Sequence, residues 1–259
     1  MRKPKWVIEK EQRQRAAGSE TLWLFGIHAV ADALRNPRRE KLRLIATKNA
    51  VDRLGEAIAE AGIEPELADA RSFKAPIDPG SVHQGAALEV RPLDWGPLDD
   101  IVAPGDDPAP RLVLLDRVTD PHNVGAILRS AEVFGARAVI APARAAASES
   151  GALAKTASGA LERQPYIRVK NLAAAMEELK FHGYHLIGLD GAAEATLGEA
   201  VLPGPTALVF GAEGPGLRRK TADTCDVLAR IPYVGNFGSL NVSNAAAVAL
   251  YHAALAREM

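Results

Sequence analysis

The residue types that could do chemistry fall in three stretches of the second half of the chain. The first runs from Asp116 to Arg129 and contains Asn123 and Arg129, an amide and a guanidinium six residues apart. The second is Phe210-Gly211-Ala212-Glu213-Gly214-Pro215-Gly216, a carboxyl group set among glycines. The third passes from Ile231-Pro232 through Gly235-Asn236-Phe237-Gly238 to Ser239-Leu240-Asn241-Val242-Ser243, before an alanine-rich segment. Glycine lets a ligand touch backbone, and a helix behind such a loop offers N–H groups without intrahelical partners. The Gly211–Gly216 run is not a Walker loop, since no Gly-Lys-Ser/Thr follows. Nor is it a dinucleotide fingerprint, because Glu213 and Pro215 stand where a pyrophosphate needs bare backbone.

Other reactive types offer less. The six histidines show no metal-ligand spacing, and no metal is expected; His182 and His185 straddle a helix end, and His122 sits beside a strand end. Cys225 is the single cysteine, which excludes an intrachain disulfide framework and a cysteine-rich zinc site. Net charge is −1, so the whole chain is not basic, but two local clusters are. Residues 1–17 carry Arg2, Lys3, Lys5, Lys10, Arg13 and Arg15 against Glu9 and Glu11. Arg35, Arg38, Arg39, Lys41 and Arg43 follow, diluted by Glu40. Phosphate contact is the functional reading of both; a solvated tail and a solvated helix end is the plainer one. No apolar run is long enough to span a bilayer, and the charged N-terminus is unlike a signal peptide, which favours the cytoplasm.

The elements that must position these residues can be read from periodicity. Residues 1–20 lack apolar period and read as a basic, disordered arm. Residues 21–91 read as a small α/β domain: a helix from Ile27 stopped by Asn36-Pro37, a strand at Leu42–Ala46, a helix to Gly62, and further strands near 64–68 and 83–90. Residues 92–110, rich in Pro, Gly and Asp, read as a linker. From 111 to 259 strands alternate with helices, which argues for a parallel sheet covered on both faces. Asp120 is placed to cap a helix with Pro121 at its first position. The final helix is expected over 241–257. Parallel sheets bind ligands outside the carboxyl ends of their strands, and all three stretches begin at such ends.

The stretches Asn123-Val124-Gly125-Ala126-Ile127-Leu128-Arg129, Phe210–Gly216 and Ile231-Pro232…Ser239-Leu240-Asn241-Val242-Ser243-Asn244-Ala245-Ala246 resemble the three signature motifs of the SpoU (TrmH) class of RNA ribose 2'-O-methyltransferases. Phe25-Gly26-Ile27-His28-Ala29-Val30 and His83-Gln84-Gly85 are similar to the substrate-binding domain of the 23S rRNA guanosine 2'-O-methyltransferases. Asn244 departs from the apolar residue of many relatives.

The resemblance implies a SPOUT fold whose C-terminal segment forms a trefoil knot, against the general rule of unknotted chains. It implies S-adenosylmethionine as cofactor, held against backbone at Leu189, Gly211, Ile231 and Leu240, and a homodimer with the final helices at the interface. It assigns catalysis to Arg129, with Asn123 and Glu213 orienting it and the ribose, and Ser239 and Asn241 binding RNA or ordering the loop. A guanidinium keeps its proton and has no acceptor, so Arg129 is either a base made competent by its site or a clamp on RNA phosphate that stabilises the forming alkoxide; the clamp is favoured as at least part of its role. Ser239 has a plainer reading as the N-cap of the last helix. The expected substrate is a guanosine of 23S rRNA; the alternatives are a tRNA loop and a non-catalytic RNA-binding assembly factor.

Overall fold

The run Arg111–Asp116 is buried at all six positions, as a strand covered on both faces must be. In the computed structural model, which describes residues 20–103, 105–201, 203–234 and 240–256, this strand lies inside the larger of two sheets. The chain divides into two compact units, 1–94 with 149–155, and 95–148 with 156–259.

The first unit is built on a four-stranded sheet, ordered β1-β4-β2-β3. Its strands are β1 (Leu22–Phe25), β2 (Lys41–Thr47), β3 (Pro65–Ala68) and β4 (Ala86–Val90). The β2–β3 pair is parallel, while β4 runs antiparallel to both β1 and β2. Helices α1 (Ile27–Arg35) and α2 (Lys48–Ala61) bury Val30, Ala33, Leu34, Leu54 and Ala57. Thr47 caps α2 through its side chain, and Gly62 ends it in the left-handed conformation. Glu149, far along the chain, belongs here as well: its carboxyl group accepts from Arg39 Nη1 at 2.8 Å and from Leu93 N at 3.2 Å.

The second unit carries a seven-stranded sheet in which every pairing is parallel. Its strands are β5 (Arg111–Asp116), β6 (Ala138–Pro142), β7 (Tyr166–Val169), β8 (His185–Leu189), β9 (Ala195–Thr196), β10 (Thr206–Gly211) and β11 (Val227–Arg230), ordered β7-β6-β5-β10-β8-β11-β9. Strand β10 separates β5 from β8, so the direction of winding reverses there. Short helix α3 (Leu98–Val102) precedes the sheet, inside the stretch read as linker; Val102 is 1% exposed and joins the core. Proline and glycine hid this helix from periodicity, since it is little more than one turn.

Helix α4 (Pro121–Val133) follows β5, with Asp120 capping it through His122 N at 2.9 Å and Pro121 in its first turn, as expected. Helices α5 (Gly151–Ala157), α6 (Leu172–Phe181), α7 (Leu197–Ala200), α8 (Arg219–Thr224) and α9 (Val242–Leu255) complete the element order. One core cluster joins Leu112, Leu114, Ile140, Leu186 and Val209 of the strands to Met176 and Leu179 of α6. Helix α9 packs on α4 and β10. Buried Arg111 donates to the carbonyls of Ala253, Ala109 and Gly204, tying the end of α9 to the start of β5. Among the described residues, no helix is long and apolar enough to cross a membrane. The basic residues of 1–17 lie outside the described residues.

Candidate active site

Three strand ends meet around one cavity of about 470 Å³, in the size range of small-molecule sites. Leu189 and Asp190 follow β8; Phe210 to Glu213 leave β10; Ile231 to Tyr233 leave β11. Leu240, Val242 and Ala245 close it from the start of α9. The four residues expected to lie against a cofactor, Leu189, Gly211, Ile231 and Leu240, all line this cavity. Sequence reasoning missed Asp190, though its place after β8 obeys the same strand-end rule. Its backbone N–H donates to Ala229 O at 3.0 Å, stitching the ends of β8 and β11 together.

Gly211 shows why side chains are missing here. A Cβ at this position would lie 2.1 Å from the backbone carbon of Gly216, so the loop can double back only over bare backbone. Gly216 N donates to Ala212 O at 2.9 Å and closes that turn. Beyond it, Arg218 donates from its backbone N and from Nε to Asp116, at 2.9 and 2.7 Å, and Asp116 is fully buried at the end of β5. Asp116 opens the first stretch of the sequence, yet only the fold reveals its work: it anchors the far end of the Gly211–Gly216 loop.

Glu213, Asn123 and Asn241 come together from the three stretches. Asn123 Nδ2 donates to Glu213 Oε1 at 3.2 Å, and Asn241 Nδ2 donates to Asn123 Oδ1 at 2.9 Å and also to Glu213 Oε1. Val242 N reaches the same Glu213 oxygen at 3.3 Å. Asn241 is in addition the N-cap of α9, its Oδ1 accepting from Ser243 N at 2.9 Å and Asn244 N at 3.4 Å. The helix therefore starts at Val242, and the capping role considered for Ser239 belongs to Asn241. Ser239 itself lies outside the described residues, as does Gly235–Gly238.

Arg129 stands apart. It is exposed on α4 and makes no hydrogen bond or ion pair with the described residues. The expected orientation of Arg129 by Asn123 and Glu213 is not made within one chain. Six residues along a helix amount to about 240° of rotation, which carries Arg129 off the face that presents Asn123.

The remaining reactive types are accounted for. Burial pushes the Cys225 thiol up to about 12, and Sγ donates to Thr221 O. Asp226 beside it is held below the usual carboxyl range: burial pushes it up, but the N–H of Leu186 and the Lys180 ammonium outweigh that. Asp99, Glu178 and His182 bring potential ligand atoms within 4.8 Å of one another, although none lines the cavity. A hydrogen bond with Asp99 and burial raise the Glu178 carboxyl. His122 is exposed, with Nδ1 3.0 Å from Thr156 Oγ1.

Residues 110–251 match the model of the SpoU rRNA Methylase family. The chain belongs to that family. Residues 23–95 match a second SpoU-associated model, described as RNA 2'-O ribose methyltransferase substrate binding. Among SpoU relatives, the 23S rRNA (guanosine-2'-O-)-methyltransferase RlmB of Pseudomonas syringae pv. tomato is 40% identical over 237 residues, covering 89% of this chain and 94% of that protein. The protein of the same name from Ralstonia nicotianae is 40% identical over 245 residues, covering 93% and 98%. The SpoU methyltransferase AviRb from Streptomyces viridochromogenes, solved in complex with the cofactor AdoMet, has a TM-score of 0.76 at 24% identity, covering 95% of this chain and 92% of that one. That last likeness is one of fold.

Proposed function

We propose that this protein transfers a methyl group from S-adenosylmethionine to the ribose 2'-hydroxyl of a guanosine in 23S rRNA. The observation that carries the reading is the cavity: three strand ends with little side-chain bulk at its base, and Glu213 in its lining held by hydrogen bonds from Asn123 and Asn241. Relatives that share nearly the whole chain supply the substrate, since their names specify a guanosine of 23S rRNA. AviRb binds AdoMet on the same fold.

The residues present suit such a cofactor. Leu189, Gly211, Ile231 and Leu240 offer backbone groups and apolar surface, and the cavity volume is that of a nucleoside-sized ligand. When bound, S-adenosylmethionine supplies an electrophilic methyl group. The chain's own task is then to hold the ribose and ease loss of the hydroxyl proton. Asn123, Glu213 and Asn241 position the ribose, and Ser239 is assigned to RNA binding by the resemblance to the family. Arg129, without a partner among the described residues, binds RNA phosphate and stabilises the oxyanion as it forms.

Two features of architecture belong to the same reading. The chain acts as a homodimer through α9, which is apolar well beyond its buried stripe: Val248, Tyr251 and Leu255 are 43%, 54% and 42% exposed. The same reading includes the C-terminal trefoil knot that the resemblance to the SpoU class implies. Residues 21–91 gather RNA, 92–110 connect, and 111–259 catalyse, in the cytoplasm and without a metal.

The test is methyl transfer by the purified protein with radiolabelled cofactor, offered 23S rRNA or bulk tRNA. Label should enter 23S rRNA at one guanosine ribose. Label in tRNA alone, or in neither, would overturn the assignment.

A further inference from the structure

The basic cluster that stands out in the sequence is largely neutralised in the fold. Arg35 pairs with Glu56 and Glu60 at 3.2 and 3.4 Å, Arg43 with Glu66, and Arg39, 2% exposed, with Glu149. Side chains already held by carboxyl groups are poor phosphate ligands. The opposite end of the same sheet differs. Strands β1, β2 and β3 finish there and β4 begins there, as the pairs Phe25↔Ala87, Ala46↔Ala86 and Thr47↔Ala68 require. That end brings together the segments after β2, after β3 and before β4.

At this end Phe73 and His83 stack, with ring centroids 4.1 Å apart and planes within 12°. Both rings are only part-buried. The loop that carries His83 is fixed. Gln84 adopts φ 54° and its Oε1 accepts from Ile27 N at 3.1 Å, capping α1. Gly85 accepts from Thr47 N at 2.8 Å, and a Cβ on Gly85 would lie 2.4 Å from Thr47 Oγ1. His83 Nδ1 accepts from Gly85 N at 3.1 Å, which leaves Nε2 as the donor of the ring. Lys48 follows Thr47, and Arg71 and Lys74 flank Phe73; these three side chains have no carboxyl partner among the described residues and are exposed. The nearby Asp69 and Asp78 accept from Arg71 N and Gly80 N at 2.8 and 2.9 Å, which holds their carboxyl groups against their own turns.

We propose that this end of the sheet is a stacking subsite for an unpaired nucleotide of the RNA substrate. The base extends the Phe73–His83 stack, and Lys48, Arg71 and Lys74 take the adjoining phosphates. Base–aromatic stacking tolerates any base, so the subsite recognises a single-stranded loop rather than a sequence. The proposal rests on the reading of the protein as an RNA methyltransferase and adds where the first unit grips its substrate.

The test measures binding of a 23S rRNA transcript to the full-length protein as a function of salt. Phe73→Leu should weaken binding roughly 5- to 150-fold, the range expected for one stacked base, and Phe73→Trp should restore it. Wild-type affinity in Phe73→Leu would overturn the subsite. So would equal weakening in both variants, which would reduce Phe73 to packing. Replacing Lys48, Arg71 and Lys74 together by Gln should lower the salt slope by about 2, whereas Arg43→Gln should leave it unchanged. An unaltered slope in the triple variant would remove the cations from the surface. Absence of methyl transfer to 23S rRNA by the wild type is a separate outcome and bears on the function instead.

Discussion

Asn123 and Arg129 lie on one helix, yet their surroundings are opposite. Asn123 is 9% exposed and joined to Glu213 and Asn241 by hydrogen bonds that link α4, the loop after β10 and the start of α9. Arg129 is exposed and unpartnered among the described residues. A group locked on several sides can position others but cannot travel to meet a substrate. A free guanidinium can, and it offers forked donors suited to phosphate and to a developing oxyanion. On the proposed function, the difference would separate residues that build the site from one that acts when RNA arrives.

Substitutions can break this contrast, and the largest effect should fall on Arg129. Arg129→Ala should slow methyl transfer about 10²- to 10³-fold, the usual loss for one preorganised electrostatic contact. Its unfolding free energy by denaturant titration should change by no more than about 0.5 kcal/mol. Parallel loss of stability would show Arg129 to be part of the frame. Glu213→Ala should do both kinds of damage, because Asn123, Asn241 and Val242 N lose their shared acceptor. A destabilisation of about 1–2 kcal/mol by denaturant titration is expected, together with lost activity.

Asn241→Ala should cost about 1 kcal/mol through the lost cap alone, and denaturant melts would resolve it. The smallest effect is a change in labelling. Cys225, pushed up to about 12 by burial, should react slowly with a thiol reagent at pH 8, because little thiolate exists in the folded state. Arg129→Ala should leave that rate unchanged and Glu213→Ala should raise it, since only the second loosens the unit.

Much of this frame was legible in the sequence because it rests on local rules. The apolar run Leu112–Leu115 became a strand buried on both faces, and Asp120-Pro121 became a helix start. The resemblance to the SpoU class, rather than any local rule, named Leu189, Gly211, Ile231 and Leu240, and the fold brings these four to one cavity at the strand carboxyl ends. What escaped depends on pairing across long separations. Nothing local shows that β10 inserts between β5 and β8, or that Asp116 anchors Arg218, 102 residues away. The sequence leaves phosphate contact and a solvated helix end both open for the cluster Arg35–Arg43; the fold sets Glu149, 110 residues from Arg39, and the nearer Glu56, Glu60 and Glu66 beside it. For Ser239 the cap is the plainer alternative to RNA binding, and the capping geometry belongs to Asn241.

The reaction itself is tested by a map of 2'-O-methylation across total RNA from cells with and without this protein. The account expects one guanosine of 23S rRNA to lose its 2'-O-methyl group when the protein is absent, and to stay unmethylated when Arg129→Ala replaces the wild type. An unchanged 23S rRNA map, or a loss confined to tRNA, would contradict it.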